Sequence, residues 1–288
     1  MSDITNYLNL GCGSRYHPDW INIDIVPHSP LVIQHDISRD IPLPDASCEV
    51  VYHSAVLEHM RYSDAAAFLV ECNRVLKLGG IVRVGVPDLE KLCQLYLSRL
   101  AAACNGDESA AHDYDWILLE MFDQTVREKS GGEMLEYLRQ NPLPNEDFVF
   151  ERIGEEGRQL VKRLHQPDNP NKTSHFALLS KLGKGLRSLP RMVKRYVPYW
   201  FLAGDDRKAL EIGRFRLAGE VHQWMYDRYS LARLLRITGF RDPQWKDAST
   251  SLIPNWTSFH LDTLPDGQVV KPDLFFMEAI KPGTPAHE

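Results

Sequence analysis

The sequence predicts an α/β protein built on a doubly wound, mostly parallel sheet. Short runs rich in Val and Ile alternate with loops and a helix over the first ninety residues. The first run, Tyr7 to Leu10, leads directly into a Gly-Cys-Gly bend, and acidic residues stand at the ends of the next runs. Ligands of parallel sheets bind beyond the carboxyl ends of the strands. We therefore expect the functional residues at those ends.

Five strands and one helix are predicted in the first part of the chain. The strands are expected at residues 7–10, 20–25, 31–35, 49–53 and 81–86. The helix is expected to begin after Ser63, a residue type that caps helices, and to end at Gly79-Gly80. Between these limits Phe68 and Cys72 fall on one apolar helical face.

The rest of the chain is predicted to form a helical insertion followed by a return to the core. Residues 89–222 read as helices broken at glycine and proline clusters, which is typical of an insertion or lid. A helix and two strands are expected after it, at residues 230–237, 244–248 and 274–280. Residues 1–88 and 223–288 would then share one core.

Composition and charge narrow the class of function. The 288 residues are 43% hydrophobic and 25% charged, as in soluble globular proteins, and no apolar run is long enough for a bilayer span. The stretch Met1 to Asn6 lacks the basic and apolar regions of a secretion signal, so we expect a cytoplasmic protein. The net charge of −6 makes a nucleic acid partner unfavourable.

The bend after the first strand indicates a nucleoside ligand. Gly11 and Gly13 leave the backbone open to a ligand because they have no side chain. A dinucleotide fingerprint requires a third glycine where this chain has Tyr16, and an acidic residue later than Asp24. A nicotinamide dehydrogenase is therefore disfavoured.

Acidic residues after the second and third strands fit another nucleoside. Asp24 can accept hydrogen bonds from both ribose hydroxyls. Asp36 and Ile37 can hold an adenine ring between a carboxylate and an apolar side chain. The alternative for each aspartate is an ordinary turn residue or helix cap.

In order along the chain, the motifs resemble those of the class I S-adenosylmethionine-dependent methyltransferases. They are LNLGCG, Asp24, the stretch Asp36 to Asp45, VVYHSAVLEHM and RVLKLGGIVRVGVPD. Similar proteins occur among uncharacterised small-molecule methyltransferases, some associated with surface-polysaccharide clusters. The resemblance covers residues 7–88 and, loosely, 230–280. It implies a Rossmann-like methyltransferase fold with S-adenosyl-L-methionine as cofactor.

The resemblance also implies which residues line the cofactor. They are Leu10, Gly11, Cys12, Gly13, Asp24, Ile25, Asp36, Ile37, His53 and Ser54. One departure is the short spacing of about seven residues between Gly13 and the second strand, which leaves no room for the usual helix. We therefore expect little help from a helix dipole in holding the methionine carboxylate.

Two residues are candidates for catalysis. Methyl transfer from a sulfonium is an in-line displacement, and a hydroxyl acceptor gains from a general base. His59 lies just beyond the fourth strand, and the ordinary pKa of histidine suits the task. Asp88, after the fifth strand, is a second candidate for orienting the acceptor. Each has a structural alternative, a loop hydrogen bond for His59 and a helix cap for Asp88.

No catalytic metal is predicted. Ala55 stands where an ExxEH-type cluster would have its first glutamate. Glu58 and His59 alone form an incomplete site for a hard cation, which prefers several oxygen ligands.

The insertion and the residues that follow it supply candidate substrate contacts. Tyr114, His222 and Tyr226 could pack against a sugar or an aromatic ring, although helix packing is the alternative for such residues. His222 and Tyr226 are four positions apart and would share one helix face. The basic stretch Lys181 to Tyr199 could contact an anionic membrane or a lipid-linked acceptor, or could be a solvated helix face.

Taken together, the resemblance implies a methyltransferase that acts on a small molecule or glycan, at oxygen in preference to nitrogen. Its rivals are an RNA or protein methyltransferase and, in another class, a cofactor-binding partner subunit without catalysis.

Overall fold

The computed structural model describes residues 6–166 and 204–283. Within these ranges, seven strands form one sheet in the order β3-β2-β1-β4-β5-β7-β6. Their bounds are β1 Tyr7–Leu10, β2 Ile21–Asp24, β3 Val32–Gln34, β4 Cys48–Ser54, β5 Leu76–Pro87, β6 Arg241–Lys246 and β7 Leu274–Ile280. Neighbours from β3 to β5 pair in parallel, whereas β7 is antiparallel to both β5 and β6. The predicted α/β class with a mostly parallel, Rossmann-like sheet is confirmed.

Helices occupy the connections after β4. They are α1 Tyr62–Val75, α2 Leu89–Cys104, α3 Glu108–Leu118, α4 Gln124–Val126, α5 Gly132–Leu138, α6 Glu146–Leu164, α7 Gly204–Arg216 and α8 Arg228–Ile237. A π-helical turn, Leu119–Asp123, joins α3 to α4, and short 3-10 helices cover Leu57–His59 and Trp256–Phe259. Asp227 caps α8 in a reciprocal capping box with Ser230.

The end of α1 differs from the sequence prediction. The helix stops at Val75, and Gly79-Gly80 lies inside β5. A Cβ on Gly80 would lie 3.0 Å from the Glu49 carbonyl oxygen, so glycine is needed where β5 closely approaches β4. The start differs too, because the N-cap is Arg61 and not Ser63. The glycine pair therefore marks a close strand contact and not a helix stop.

The two faces of the sheet are covered differently. One face packs against α1 and α8, with Val51, Leu69 and Leu234 in the main apolar cluster. Successive strand side chains point to opposite faces. The other face carries Trp20, Tyr52 and Trp256, so the loop around the second 3-10 helix replaces a covering helix there.

A buried arginine ties that loop to the sheet. Arg83 of β5 is fully buried and forms ion pairs with Asp262 at 2.9 Å and with Glu278 at 2.8 Å. Its guanidinium also donates to the carbonyl oxygens of Asp247 and Thr250, and its carbon lies 4.4 Å from the ring centre of Trp256. Glu278 also accepts a hydrogen bond from the Leu252 backbone N–H at 2.6 Å, so the buried pair of Arg83 and Glu278 holds the loop from residue 247 to residue 262.

The helical segment between β5 and α8 has its own apolar cluster. Trp116 is fully buried there, and Phe150 and Val161 pack in the same cluster. Glu120 of the π-helical turn forms a buried ion pair with Arg152 at 2.7 Å. In the described parts of the chain, no helix has both the length and the apolar character to cross a membrane. The basic stretch Lys181 to Tyr199 lies outside the described residues.

Candidate functional site

A small cavity of about 180 Å³ lies at the carboxyl ends of β1 and β4. Its lining includes the glycine bend and residues from the loop after β4 and the loop before β7, among them Gly11, Cys12, Gly13, Arg15, Ser54, Ala55, Asp262 and Lys271. Gly11 has φ +63°, and a Cβ there would lie 2.5 Å from Cγ2 of Val56. Only glycine fits this conformation and this space.

Asp24 fixes the glycine bend to the end of β2. Its Oδ2 accepts a hydrogen bond from the Gly13 backbone N–H at 2.8 Å, and its Oδ1 accepts one from Val26 at 2.8 Å. Each carboxylate oxygen retains a second lone pair. The half-buried carboxylate can therefore still accept ribose hydroxyls beside the cavity.

Asp36 and its neighbours lie near the edge of the sheet. The Asp36 carboxylate accepts hydrogen bonds from the Ser38 hydroxyl at 2.6 Å and backbone N–H at 3.2 Å, and pairs with Arg39. The Ser38 hydrogen bond lowers the pKa of Asp36. The Asp36 side chain thus acts as an ordinary turn residue, which was the alternative to adenine binding. Ile37 packs on the core and Ile25 is 60% exposed, so their adenine contacts remain predictions.

His53 points away from the cavity. Strand alternation places Tyr52 and Ser54 on the cavity side of β4 and His53 on the α1 side, where its ring meets Phe68 edge-on at 5.1 Å. Burial lowers the pKa of His53 to about 3. Leu10 also lies in the core on that side. A cofactor contact through either side chain therefore has no support from this geometry.

A larger cavity of about 560 Å³ adjoins the small one. Both are lined by Ala55, Glu156 and Lys271. The sheet side of the larger cavity is lined by Glu58, His59, Pro87 and Asp273. The helical side is lined by Trp116, Arg127, Met134, Leu135, Leu138, Ile153, Leu160 and Arg163. Glu220 and His222, from the segment before α8, complete the lining. Its wall is charged next to the sheet and mostly apolar on the helical side, where Arg127 and Arg163 are the exceptions.

Three potential ligand side chains converge at this wall. Glu58 and His59 lie on the first 3-10 helix, and His222 lies in the segment before α8. The rings of His59 and His222 meet with centroids 4.8 Å apart, and His59 Nε2 lies 4.0 Å from Glu58 Oε1. Both Glu58 carboxylate oxygens and the Nδ1 atoms of both histidines are buried without a hydrogen-bond partner among the described residues.

Burial controls the protonation of these groups. It lowers the pKa of His59 to about 4 and, with His59 nearby, that of His222 to about 3. It also raises the pKa of Glu58 to about 8. At neutral pH both imidazoles are therefore neutral and can accept a proton or another Lewis acid.

Of the three predicted substrate contacts, only His222 lines a cavity, and Tyr114 and Tyr226 do not. The segment from His222 to Tyr226 is not helical, because the backbone N–H groups of His222 and Gln223 donate to Gln124 and Glu58 and not within one helix. His222 lines the larger cavity, but Tyr226 is fully buried and lines neither cavity. Tyr114 packs near Tyr96 with ring centres 5.7 Å apart, away from both cavities.

Asp88 acts as the N-cap of α2. Its Oδ1 accepts the Lys91 backbone N–H at 2.9 Å, and it lines neither cavity. Asp88 therefore has the helix-capping role that was the alternative to a catalytic one. Its role in positioning the acceptor remains a prediction.

Several cavity residues carry no signal in the sequence. Lys271 and Asp262 come from the loop before β7, and Glu156 comes from α6, far along the chain from the glycine bend. Arg15 of the bend pairs with Glu156 at 3.2 Å across the cavity mouth. Only the folded arrangement brings these charges together.

Part of the chain is similar in sequence to known proteins. Residues 15–84 match the model of a methyltransferase domain family. This part of the chain is thus similar to known methyltransferase domains. A Mycobacterium tuberculosis protein named "Probable S-adenosylmethionine-dependent methyltransferase" is 34% identical over 28% of this chain and 35% of its own length. A similarly named Mycolicibacterium smegmatis protein is 45% identical over 19% of this chain and 21% of its own.

The chain thus spans about a third or less of the length of these curated relatives. Among solved structures, a methyltransferase from Thermotoga maritima, described as a possible histamine N-methyltransferase, has a TM-score of 0.37 at 10% identity and covers 96% of this chain and 82% of its own. A Haloferax volcanii methyltransferase complex has a TM-score of 0.38 at 11% identity, with coverages of 97% and 83%. Such scores say nothing about what the methyltransferase domain acts on.

Proposed function

We propose that the chain transfers a methyl group from S-adenosylmethionine to an acceptor bound in the larger cavity. The observation that carries this proposal is that the two cavities meet at Ala55, with the glycine bend on one side and His59 on the other. A methyl group at this junction would face the acceptor. We assign residues 1–88 and 223–288 to the cofactor core and residues 89–222 to the cover of the acceptor.

The residues at the small cavity fit this cofactor. Gly13 leaves space for the methionine portion, since an added Cβ would project into open space there, whereas Gly11 lets the bend pack closely against Val56. Asp24 beside them can accept the ribose hydroxyls. S-adenosylmethionine, when bound, supplies an already activated methyl group, so the protein has mainly to align it with the acceptor.

His59 is the proposed general base. The neutral imidazole can take a proton from an acceptor hydroxyl at neutral pH, although its low pKa makes it a weak base. The helical side of the larger cavity, with Trp116 and Leu160, would exclude water from the transfer.

We further propose that the acceptor is a small molecule or a glycan methylated at oxygen. The larger cavity offers an apolar wall for a ring or chain and charged residues, such as Arg163 and Asp273, for polar groups. Its volume of about 560 Å³ suits a single small acceptor or a terminal sugar.

A transfer experiment tests this function. Metabolite and glycan extracts are incubated with the protein and methyl-labelled S-adenosylmethionine, and products are identified by mass spectrometry. We expect one product class to gain label, with turnover at least tenfold slower in His59→Ala, as for loss of a general base. The exposed residue His28 provides the control His28→Ala, which should match the unaltered protein.

Labelling that is equally fast in His59→Ala would remove His59 as the base. Tight cofactor binding without transfer to any acceptor would favour the rival, a cofactor-binding partner subunit.

A further inference from the structure

Glu58, His59 and His222 form a cluster in which several buried polar atoms have no hydrogen-bond partner among the described residues. One ligand atom from each of the three lies within 4.8 Å of the others. Glu58 is 1% exposed and His222 7% exposed. Buried polar atoms without a partner are costly, and here four of them occur in one place among the described residues.

The cluster is held in place by the backbone. The carbonyl oxygen of Glu58 accepts the N–H groups of Gln223 at 2.6 Å and Trp224 at 3.2 Å. The N–H of His222 donates to the carbonyl oxygen of Gln124 at 2.9 Å. These bonds tie the segment carrying His222 to the 3-10 helix carrying Glu58 and His59, so the three side chains are brought together before any ligand arrives.

The surrounding charges tolerate a cation. Arg127 on the same wall is engaged by Asp123 at 2.8 Å and Glu220 at 3.3 Å. Apart from the three ligands, the larger cavity is lined by three carboxylates and three cationic side chains, namely Glu156, Glu220 and Asp273 against Arg127, Arg163 and Lys271. A further positive charge there is therefore not opposed by an excess of cationic residues.

The donor atoms select a class of ion. Two imidazole nitrogens and one carboxylate oxygen suit zinc and other first-row transition ions, whereas magnesium and calcium prefer oxygen ligands throughout. Three protein ligands leave coordination positions open, as in sites that act on a bound molecule.

We propose that Glu58, His59 and His222 bind one divalent transition ion of the zinc type at the wall of the larger cavity. This replaces the expectation of no metal, which considered Glu58 and His59 without His222. The sequence could not show the third ligand, because His222 is distant from Glu58 and His59 in the chain and adjacent to them only in the fold.

The role of such an ion rests on the proposed methyl transfer, whereas its binding does not. An ion at this wall would attract the oxygen of an acceptor in the larger cavity and hold it near the junction with the small cavity. With the ion bound, His59 would serve as its ligand and not as the general base, and the ion would itself lower the pKa of the acceptor hydroxyl. It would also provide the partner that the buried atoms of Glu58, His59 and His222 otherwise lack.

A metal titration tests the site. The full chain is stripped with a chelator and titrated with Co(II), which is followed by its visible absorption, and Zn(II) and Mg(II) are then added as competitors. We expect one equivalent of Co(II) to bind, Zn(II) to displace it and Mg(II) to leave it in place. Glu58→Gln and His222→Ala should each weaken Co(II) binding more than tenfold. His28→Ala, at an exposed position, should bind as the unaltered protein does.

Folding of each variant is checked by its thermal melting curve. If His222→Ala does not fold, Glu58→Gln decides, because it preserves the side-chain volume. Absence of stoichiometric Co(II) binding, unchanged affinity in the folded variants, or displacement by Mg(II) would each overturn the proposal. Asp24→Ala should still bind Co(II), so failure of the cofactor site and failure of the metal site give different results.

Discussion

The small cavity and the larger cavity lie side by side but are built differently. The small cavity depends on a short, continuous motif at the end of β1, joined to β2 by Asp24. The larger cavity combines the loop after β4, the helices after β5 and the segment around His222. The glycine bend of the first is therefore local in the chain, although Asp262 and Lys271 complete its lining, whereas the second has no local motif at all.

Because they are built differently, the two cavities suit different kinds of ligand. A bend that requires Gly11 and a carboxylate at the next strand end suits one type of ligand, a nucleoside. A cavity lined by side chains from several helices can change its lining without changing the sheet. We infer that residues at the ends of the sheet strands determine which cofactor binds, and that residues of the helical segment determine which acceptor binds.

The largest expected effect concerns the support of the small cavity by a distant loop. Arg83→Met would leave Asp262 and Glu278 buried without their cation, and we expect the free energy of unfolding to fall by about 3–5 kcal/mol. Urea denaturation measures it. As control, Arg139→Met removes an exposed pair with Glu136 and should cost less than about 1 kcal/mol. Equal losses in both variants would show that the loop is not held by Arg83.

The next effect tests the local character of the small cavity. Gly11→Ala places a Cβ 2.5 Å from Val56 at φ +63°, and we expect a loss of roughly 2–4 kcal/mol in stability together with weaker cofactor binding. Gly106→Ala has a positive φ but open space, so it should show only the backbone strain of roughly 1–2 kcal/mol. Denaturation and calorimetry are compared for the two. Similar results would mean that close packing at Gly11 is unimportant.

A third effect should appear only in the larger cavity. Leu160→Trp adds bulk to the apolar wall, and we expect methyl transfer to fall by about tenfold, equivalent to about 1.4 kcal/mol, with cofactor affinity unchanged. Leu97→Trp, at a 64% exposed position of α2, should leave both unchanged. Turnover and cofactor affinity are measured on the same preparations. Loss of cofactor affinity in Leu160→Trp would contradict the division between the cavities.

The smallest effect is a pH dependence of stability. Burial raises the pKa of Asp273 from 3.8 to about 6, so the folded protein holds its proton more tightly than the unfolded chain. The contribution to stability is complete below about pH 4 and is lost as the pH rises through 6. Asp273→Asn should flatten this slope in urea denaturation between these pH values, whereas Asp266→Asn, at an exposed position, should not. An unchanged slope in Asp273→Asn would place the titration elsewhere.

The sheet was predictable because its signals are local. The expected strand at residues 274–280 coincides with β7, and the first strand coincides with β1. Runs of Val and Ile bounded by turns identify strands wherever they pair. The predicted end of α1 was wrong because it depends on a contact between distant segments. Gly80 is needed for the close approach of β5 to Glu49 on β4, and this contact leaves no local signal in the sequence.

The site was only partly predictable. Gly11, Gly13 and Ser54 do line the small cavity, and His59 and His222 line the larger one. The orientation of His53 depends on which face of β4 the strand alternation gives it, and Lys271 reaches both cavities through a loop with no motif. Contacts between distant segments leave no pattern in a single sequence.

Calorimetry of S-adenosylmethionine and its demethylated product tests most directly whether a nucleoside is held at the glycine bend. We expect binding at one site, weakened about a hundredfold in Asp24→Ala through the loss of two hydrogen bonds to a charged acceptor, about 3 kcal/mol in all. Asp19→Ala, whose side chain is 88% exposed on the same loop, should bind normally. No detectable binding, or equal affinity in Asp24→Ala and the unaltered protein, would contradict the account.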